Sequence, residues 1–409
     1  MTNDDLIIND PIYGFINIPS GLLRNIVDHR FFQRMGRISQ LGLLSWVYPG
    51  AHHTRKEHSL GAFHLLQKSF RSLANKGVYI FDVEEEAALA AILLHDVGHG
   101  PFSHLLENIL LENTSHEEVS IALMNVMNEE MGGCLENAIN IYQGNQSRPF
   151  LHSLVSSQLD VDRLDYIERD SFYTGVHEGH IGTERIISML DVINDTLVVK
   201  SKGIYTLENY LMVRRLMYWQ VYLHKASISA MNLLQSLIKR ARFVVNNGDH
   251  LFGTPSLLFI LQNNYRPEYK GINKEVLNHF TQLDDTDILS AAKVWQNHKD
   301  IVLSKLSKCL TERLLPKAEL CETREQALEI AEHWKNQIAN SWNITKEDAN
   351  WFVKVHSVKQ KTYSTTSHGI NLLYKDKITD ISKVSELITH DRFKDHDQKH
   401  YVLHPKDLC

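Results

Sequence analysis

The sequence has few cysteines, and they are not spaced as a pair. The four, in 409 residues, are Cys134, Cys309, Cys321 and Cys409, and no Cys-x-x-Cys motif occurs. This scatter argues against a disulfide framework and against a zinc site built from thiolates. It is typical of reduced thiols in a cytoplasmic protein, and a cytoplasmic location is what we expect.

Long apolar runs and an excess of basic residues are also lacking. We find no run long enough to span a bilayer, and the polar, acidic start of the chain is unlike a signal peptide. The formal net charge is -6, whereas a dedicated nucleic-acid-binding protein usually has a basic face. We therefore expect no membrane insertion and no dedicated nucleic-acid binding. The 43% of hydrophobic residues suits a globular protein with a sizeable core.

Apolar spacing predicts that most of the chain is helical. The clearest predicted helices cover 57–75, 83–97, 116–130, 150–170, 183–192 and 206–245. A short β-hairpin is predicted from 196–200 and 203–205, and residues 351–375 alternate like strands. The predicted fold is mainly α: a helical core, 1–247, with a short β-hairpin, and a smaller C-terminal α+β region, 248–409.

An adjacent pair, His95-Asp96, ends the helix predicted over 83–97. The run from Ala87 to Leu94 is apolar almost all round, so we expect this helix to be buried. An ionised Asp beside a His is costly there unless both are paired or bind a metal ion. Imidazole with carboxylate suits Mn²⁺, Fe²⁺, Co²⁺ or Zn²⁺, and carboxylate-rich sites accept Mg²⁺. The alternative is a local His–Asp hydrogen bond at an exposed helix end.

Further histidines extend this pattern. Arg55 and His58 open a predicted helix, and His99 and His104 complete an HDxGHxxxxH run with the pair. A lone His-Asp dipeptide would favour the simple hydrogen bond, whereas the full run favours a bound ion. His58 and Asp162 can complete its ligands from other helices and leave positions open for water and a phosphate oxygen.

One helical face near residue 165 carries acidic, basic and aromatic side chains together. At helical spacing, Asp162, Tyr166, Arg169 and Asp170 lie on the same side. A surface face of salt bridges is the alternative for a helix so rich in charge. The aromatic residue and the metal-type pattern before it favour a functional face.

A second face combines an arginine with two tyrosines. Arg214, Tyr218 and Tyr222 follow one another at spacings of four residues. Arginine makes bidentate contacts with phosphate, and tyrosine can stack on a base or hydrogen-bond a sugar. A core aromatic stripe with an arginine that extends to the surface fits the same spacing.

With these residues together, the chain resembles the HD-domain superfamily of phosphohydrolases. More narrowly, it resembles the deoxynucleoside triphosphate (dNTP) triphosphohydrolases, including the catalytic core of the animal enzyme with SAM and HD domains. The resemblance lies mainly in about the first 60% of the chain. The segments that carry it are DPIYG from Asp10, FQR from Phe32, QLG from Gln40, YPGA from Tyr48, RxxHSLG from Arg55, HDVGHGPFSH from His95 and DVDRLDY from Asp160.

The resemblance implies roles for individual residues. The implied metal ligands are His58, His95, Asp96 and Asp162. The implied catalytic residues, near the α-phosphate, are Arg55, His99, His104 and His116. The implied substrate contacts are Gln40, Leu41, Arg55, Asp160, Arg163, Tyr166, Asp170, Arg214 and Tyr222. Arg163 stands where the animal enzyme has a lysine, and Leu41 would leave no room for a 2′-hydroxyl.

The resemblance also implies a reaction, a cofactor and partners. A dNTP and water would give a deoxynucleoside and triphosphate, with a divalent ion (Mn, Fe, Co or Mg) at the site and a second Mg bound with the triphosphate. Family members are often homo-oligomers, a tetramer being favoured here, with nucleotide bound at subunit interfaces. Asp10 and Arg34 match residues of that interface site. Gly36 stands where the site has an arginine, so the activating dNTP, if there is one, stays open.

Two other functions fit the same residues. An HD hydrolase for another phosphate ester, such as a nucleoside monophosphate or a signalling nucleotide, would use the same ion. The basic residues around the site favour a polyphosphate, and no GYP sequence follows the HD run. A catalytically idle nucleotide sensor would use the same pocket, but the full set of candidate ligands and histidines favours an enzyme.

Overall fold

The computed structural model describes residues 5–263, 272–359, 363, 369–388 and 398–406. Cys409 and residues 1–4 lie outside these ranges. Helices dominate the described chain, which confirms the mainly α prediction. None of the described helices has the length and apolar character needed to cross a membrane. Cys134, Cys309 and Cys321 are free thiols.

The α-helices carry most of the buried apolar side chains. Their bounds in chain order are α1 (Leu22–Asp28), α2 (Arg30–Arg34), α3 (Arg55–Ala74), α4 (Asp82–Leu94), α5 (His116–Glu130), α6 (Glu136–Gln143), α7 (Pro149–Val155), α8 (Val161–Thr174), α9 (Thr183–Met189), α10 (Ile204–Met217), α11 (Lys225–Asn246), α12 (Pro255–Gln262), α13 (Lys274–Phe280), α14 (Asp285–Trp295), α15 (Ile301–Thr311), α16 (Arg324–Trp342) and α17 (Lys346–Ala349). Short 3₁₀ helices lie between them, among them Gly42–Trp46 and Ser103–Leu105. A π-helix, Tyr218–Tyr222, follows α10 directly.

The strands form three small sheets. Their bounds are β1 (Leu6–Asp10), β2 (Gly14–Ile18), β3 (Leu190–Ile193), β4 (Thr196–Lys200), β5 (Lys317–Cys321), β6 (Lys354–Lys359), β7 (Asn371–Tyr374), β8 (Lys377–Asp380) and β9 (Gln398–His404). Strands β1 and β2 form an antiparallel hairpin. The second sheet has the order β3-β4-β7-β8 and the third the order β5-β9-β6.

The described part of the C-terminal region packs on the helices before it. Strand β7 pairs in parallel with β4, and α15 packs against α11. One continuous cluster of buried apolar side chains includes Leu234 of α11 and Leu303 of α15. We therefore propose that residues 248–409 form a smaller α+β region packed on the core 1–247.

The short β-hairpin lies one strand earlier than predicted. Strand 196–200 is present, but its partner is Leu190–Ile193 and not 203–205. Asn194 and Asp195 both have positive φ, as a tight two-residue hairpin turn requires. The apolar residues of Leu190–Ile193 fit a helix or a strand, so the turn decides between them. Residues 204 and 205 begin α10 instead.

Two helices predicted as continuous are interrupted. The segment 150–170 breaks before α8 because the Asp160 side chain accepts hydrogen bonds from the backbone N–H groups of Ser157 and Arg163, at 2.6 and 2.7 Å. Asp160 therefore caps a new helix. The segment 206–245 breaks at the π-helix, a feature often found at functional sites.

Helix α3 lies close against α8, and a glycine makes this possible. A Cβ atom at Gly61 would lie 2.0 Å from Asp165 Oδ1 and 2.2 Å from Arg169 Nη2. Asp165 and Arg169 are fully buried and paired through two hydrogen bonds of 2.9 and 3.0 Å. Only glycine lets the backbone of α3 approach this ion pair so closely.

We predict that Gly61→Ala destabilises the protein by about 1–3 kcal/mol or more, because the added methyl group displaces a buried ion pair. Urea unfolding followed by circular dichroism measures this change. Gly36→Ala is the matched control: its added Cβ would lie 3.3 Å from the flexible Lys56 side chain. Equal stability of the two variants would contradict the close packing of α3 on α8.

Candidate active site

Three helix ends converge on the candidate metal ligands. His58 lies in the first turn of α3, which Thr54 and Glu57 cap through a hydrogen bond of 2.6 Å from Thr54 N–H. His95 and Asp96 follow the last residue of α4, whose stretch Ala87–Leu94 is entirely buried as predicted. Asp162 lies in the first turn of α8. Backbone capping and apolar burial thus fix the direction of each side chain.

The structure brings His58, His95, Asp96 and Asp162 together. The Nε2 atoms of His58 and His95 are 3.2 Å apart. Asp162 Oδ1 lies 3.0 Å from His58 Nε2 and 3.6 Å from His95 Nε2. Asp96 lies 3.6 Å from His58 Nε2 through Oδ2 and 3.4 Å from His95 Nε2 through Oδ1. Two imidazole nitrogens and two carboxylates of this kind suit a divalent transition metal.

The other ring nitrogens fix the tautomers of both histidines. His58 Nδ1 lies 2.7 Å from the Asp165 carboxylate, and His95 Nδ1 lies 2.7 Å from the Ile92 carbonyl oxygen. Both Nδ1 atoms must therefore donate, and both Nε2 lone pairs point into the cluster. Two facing lone pairs repel each other unless a cation, either a proton or a metal ion, lies between them.

Without a metal ion, a proton can take this place. Burial lowers the pKa of His58, but its hydrogen bonds to Asp162 and Asp165 outweigh that effect and raise it to about 10. Burial raises the pKa of Asp162, but the two histidines outweigh it and hold that pKa well below its usual range. The residues fit a divalent ion, which would displace the proton on binding.

Arg55 joins this cluster to the neighbouring polar groups. Its Nη1 donates to Asp96 Oδ2 over 2.6 Å, and its Nε donates to the Ser103 hydroxyl over 2.8 Å. Burial raises the pKa of Asp96, but Arg55 and His95 outweigh it and keep the carboxylate ionised. Sequence reasoning did not single out Ser103, although it belongs to the HDxGHxxxxH run.

The histidines His99, His104 and His116 form a second cluster beside the first. Their ring centroids are 4.0 to 5.0 Å apart. Glu107 holds two of them, because its two oxygens each lie 2.8 Å from an Nδ1 atom, one of His104 and one of His116. Burial and the charge of Arg55 lower the pKa of His99 well below its usual range, so His99 is neutral. Sequence reasoning did not single out Glu107.

A cavity of about 470 Å³ opens beside both clusters. Most of the predicted metal-binding, catalytic and substrate-binding residues line it: Gln40, Leu41, Arg55, His95, Asp96, His104, His116, Asp162, Arg163, Tyr166, Asp170 and Tyr222. The Tyr222 hydroxyl donates to Asp170 over 2.6 Å, and His53 Nε2 lies 2.8 Å from the other oxygen of Asp170. Tyr218 of the π-helix, Leu44 and Met231 complete part of the wall.

Two predicted substrate contacts lie behind the cavity wall. Asp160 is buried and binds Arg163, with Oδ2 3.0 Å from Nη1. Arg214 is largely buried; burial lowers its pKa, but Tyr166 and Tyr210 outweigh that and raise it. Neither residue lines the cavity surface, so each reaches a ligand only through its neighbours or after a side-chain movement.

The two predicted interface residues are bound within their own chain. Asp10 Oδ2 accepts a hydrogen bond of 2.9 Å from Arg169. Arg34 is fully buried and donates to the carbonyl oxygens of Leu283 and His99 over 2.9 and 2.8 Å. Neither lines the cavity, so their predicted regulatory role stays a prediction.

Comparison with known proteins adds independent findings. The HD domain model matches residues 55–170, and the HD associated region model matches 181–245. The chain is similar to the uncharacterized protein YwfO of Bacillus subtilis, with 31% identity over 320 residues, 76% of this chain and 71% of YwfO. It is 28% identical over 279 residues to human deoxynucleoside triphosphate triphosphohydrolase SAMHD1, 58% of this chain and 44% of SAMHD1.

A solved structure is similar over nearly the whole length. The crystal structure of a phosphohydrolase from Bacteroides thetaiotaomicron is 47% identical and superposes with a TM-score of 0.93, over 98% of this chain and 100% of that chain. These likenesses confirm the resemblance drawn from the motifs.

We predict that Asp165→Asn weakens Mn²⁺ binding about 10- to 100-fold, because Asp165 orients the His58 ring and raises its basicity. Isothermal titration calorimetry at pH 7.5 measures the affinity. The same titration should show weaker binding as the pH falls, since protons compete for His58. Asp191→Asn, whose carboxylate pairs with Lys200 instead, is the control. Unchanged affinity in Asp165→Asn would contradict the role given to this carboxylate.

Proposed function

The chain belongs to the HD-domain family of phosphohydrolases, and from this premise we propose that it hydrolyses a dNTP to a deoxynucleoside and triphosphate. The metal ion would be held by His58, His95, Asp96 and Asp162. When bound, such an ion polarises the phosphorus–oxygen bonds and lowers the pKa of water. The relatives named as deoxynucleoside triphosphate triphosphohydrolases support this substrate.

The observation that carries the proposal is a set of buried polar atoms without partners. Within the described residues, Gln40 Oε1, His99 Nε2, Arg163 Nε and Arg214 Nη1 are buried and make no hydrogen bond. A buried donor or acceptor left unpaired costs about 1–3 kcal/mol. Gln40, Arg163 and Arg214 are predicted substrate contacts, and His99 is a predicted catalytic residue. Phosphate oxygens of a dNTP would accept hydrogen bonds from Arg163 and Arg214, and a hydroxyl of its sugar would donate to Gln40.

Arginines in and behind the cavity wall favour a polyphosphate over a monophosphate once a divalent ion offsets the carboxylates of the same wall. Arg55 and Arg163 line the cavity, and Arg214 lies close behind. Arg55 donates hydrogen bonds from Nη1 to Asp96 and from Nε to Ser103. Its Nη2 atom makes no hydrogen bond within the described residues. Guanidinium groups in this arrangement offset the several negative charges of a triphosphate.

The second histidine cluster suits a proton donor for the leaving group. When the bond between the α-phosphorus and the 5′-oxygen breaks, that oxygen needs a proton. His99 is kept neutral, whereas His104 and His116 each share their Nδ1 with the Glu107 carboxylate. The carboxylate at Nδ1 orients each ring, and histidine is the side chain most often used as a general acid. We assign the general acid to His104 or His116 on this ground.

We further propose that the chain forms a homo-oligomer, with a tetramer favoured, and that a dNTP activator binds near Asp10 and Arg34. Both side chains are engaged within their own chain. An activator would therefore need additional contacts from a second chain. The proposal rests on the match of these two residues to the interface site of the family.

Incubation of the purified protein and Mn²⁺ with each of the four dNTPs, singly and mixed, tests the reaction. Chromatography should resolve a deoxynucleoside and triphosphate in equal amounts. Activity in mixtures alone would reveal an activator. Release of pyrophosphate, or of orthophosphate alone, would contradict the proposed bond cleavage, and no product in any mixture would contradict the enzyme itself.

We predict that Asp96→Ala abolishes both Mn²⁺ binding and turnover, since it removes a ligand and the partner of Arg55. The matched control is Asp249→Ala, which removes a partly exposed carboxylate paired with Lys299. Its turnover should equal that of the parent protein. Retained turnover in Asp96→Ala would contradict the assignment of Asp96 as a metal ligand.

We predict that Leu41→Ala raises the rate with ribonucleoside triphosphates relative to dNTPs by about tenfold or more, because it opens space where a 2′-hydroxyl would lie. The ratio of kcat/KM for ATP and dATP measures this selectivity. Leu44→Ala is the control, since Leu44 also lines the cavity and is equally buried. An equal change in both variants would show that cavity size, and not Leu41, sets the sugar selectivity.

A further inference from the structure

A second cavity, of about 350 Å³, lies in the C-terminal half of the described chain. Its walls come from α11, α15, the end of α16, the start of β6 and the end of β9. Five basic side chains line it: Lys305, Lys308, Arg313, Lys354 and Lys406. Its volume lies within the range of small-molecule sites, roughly 300–1,000 Å³.

The positive charge of this second cavity is not balanced within its wall. None of the described residues that line it is an Asp or a Glu. Within the described chain, Lys305 and Lys354 have no carboxylate within 4.0 Å, although Lys308 has Glu312 at that distance. Such a concentration of charge, in a protein of net charge -6, is expected to attract an anion.

Lys354 is one of two partly buried cations in this wall, with Lys305. Burial and the like charges of Lys239 and Lys335 lower its pKa to about 8. The Nζ atom lies 5.5 Å from the centroid of the Trp351 ring. A partly buried ammonium group with like-charged neighbours is stabilised by a bound anion, which restores the charged form.

Aromatic rings line the same wall as the cations. Trp342 and Trp351 both border the second cavity, and Lys305 Nζ lies 4.3 Å from the centroid of the Trp342 ring. Each ammonium group lies over its indole ring, so a planar base would contact the part of the ring that the ammonium group leaves open, and the ammonium group would bind a phosphate. An inorganic anion would use only the cations.

We propose that the second cavity binds a free nucleotide, its phosphates on Lys305 and Lys354 and its base against the indole rings of Trp342 and Trp351. This is a non-catalytic site, separate from the cavity beside His95 and Asp96. The proposal does not depend on the reaction at that other cavity.

Two elements connect the second cavity to the first. On α11, Met231 lines the active-site cavity, while the next residue, Asn232, lines the second. Arg313 of the second cavity donates a hydrogen bond of 2.6 Å to the Trp46 carbonyl oxygen, at the end of the 3₁₀ helix that holds Leu44 of the first. A nucleotide in the second cavity would thus contact two elements that also form the wall of the active-site cavity. If binding at one cavity changes the affinity of the other for its ligand, the reverse effect has the same size.

Equilibrium dialysis with radiolabelled dATP tests the second cavity. The full chain carrying Asp96→Ala, with EDTA present, is the background, so that no turnover occurs. The double variant Lys305→Gln/Lys354→Gln in that background should bind one dATP fewer per chain, or bind it at least tenfold more weakly. Unlabelled inorganic triphosphate should displace this dATP at least tenfold less well than unlabelled dATP does.

The matched control is Lys299→Gln/Lys377→Gln, which removes the same charge from exposed positions outside the second cavity. It should bind as many dATP molecules as the background. Equal binding by the double variant and the background would overturn the proposal. Displacement by triphosphate as effective as by dATP would also overturn it, since the site would then recognise only an anion. Tighter binding of a single-stranded oligonucleotide than of dATP would overturn it as well, since the ligand of the second cavity would then be a nucleic acid and not a free nucleotide.

Discussion

Two imidazole lone pairs face each other across 3.2 Å, and this contact governs the candidate site. Hydrogen bonds at the far side of each ring prevent either Nε2 atom from turning away. A cation, either a proton or a metal ion, must therefore lie between His58 and His95, and the two carboxylates beside them suit a divalent ion. The buried helix α4 and the capped starts of α3 and α8 hold the parts in place.

A line of buried charge extends this constraint into the fold. His58 binds Asp165, Asp165 binds Arg169, and Arg169 binds Asp10 at the end of β1, with distances of 2.7 to 2.9 Å. Each group is buried, so each requires the next as its partner. Gly61 lets α3 approach close enough for the line to form. The close packing of α3 on α8 and the positions of the candidate metal ligands therefore depend on each other.

The cluster of candidate metal ligands was predictable in part because residue type and short spacing identify His95 and Asp96, as in the HDxGHxxxxH run. Asp165 was not singled out, since its role depends on α8 packing against α3, 107 residues away in sequence. The hairpin was misplaced because the apolar pattern of 190–193 fits either a helix or a strand and the Asn194-Asp195 turn decides. The second cavity is lined by residues of several elements that are far apart in sequence, among them Lys354 and Trp342. No local sequence pattern therefore predicts it.

Asp10 lies outside the segment that matches the HD domain, although its partner Arg169 lies inside it. The segment that matches the HD domain, 55–170, contains every candidate metal ligand and also Arg169. The carboxylate that completes the pairing of Arg169 comes from β1, outside that segment. Moved alone into another protein, the segment would carry a buried guanidinium with one partner missing. A segment transferred to another protein would therefore need the hairpin of β1 and β2 as well, although the match to the HD domain begins after this hairpin.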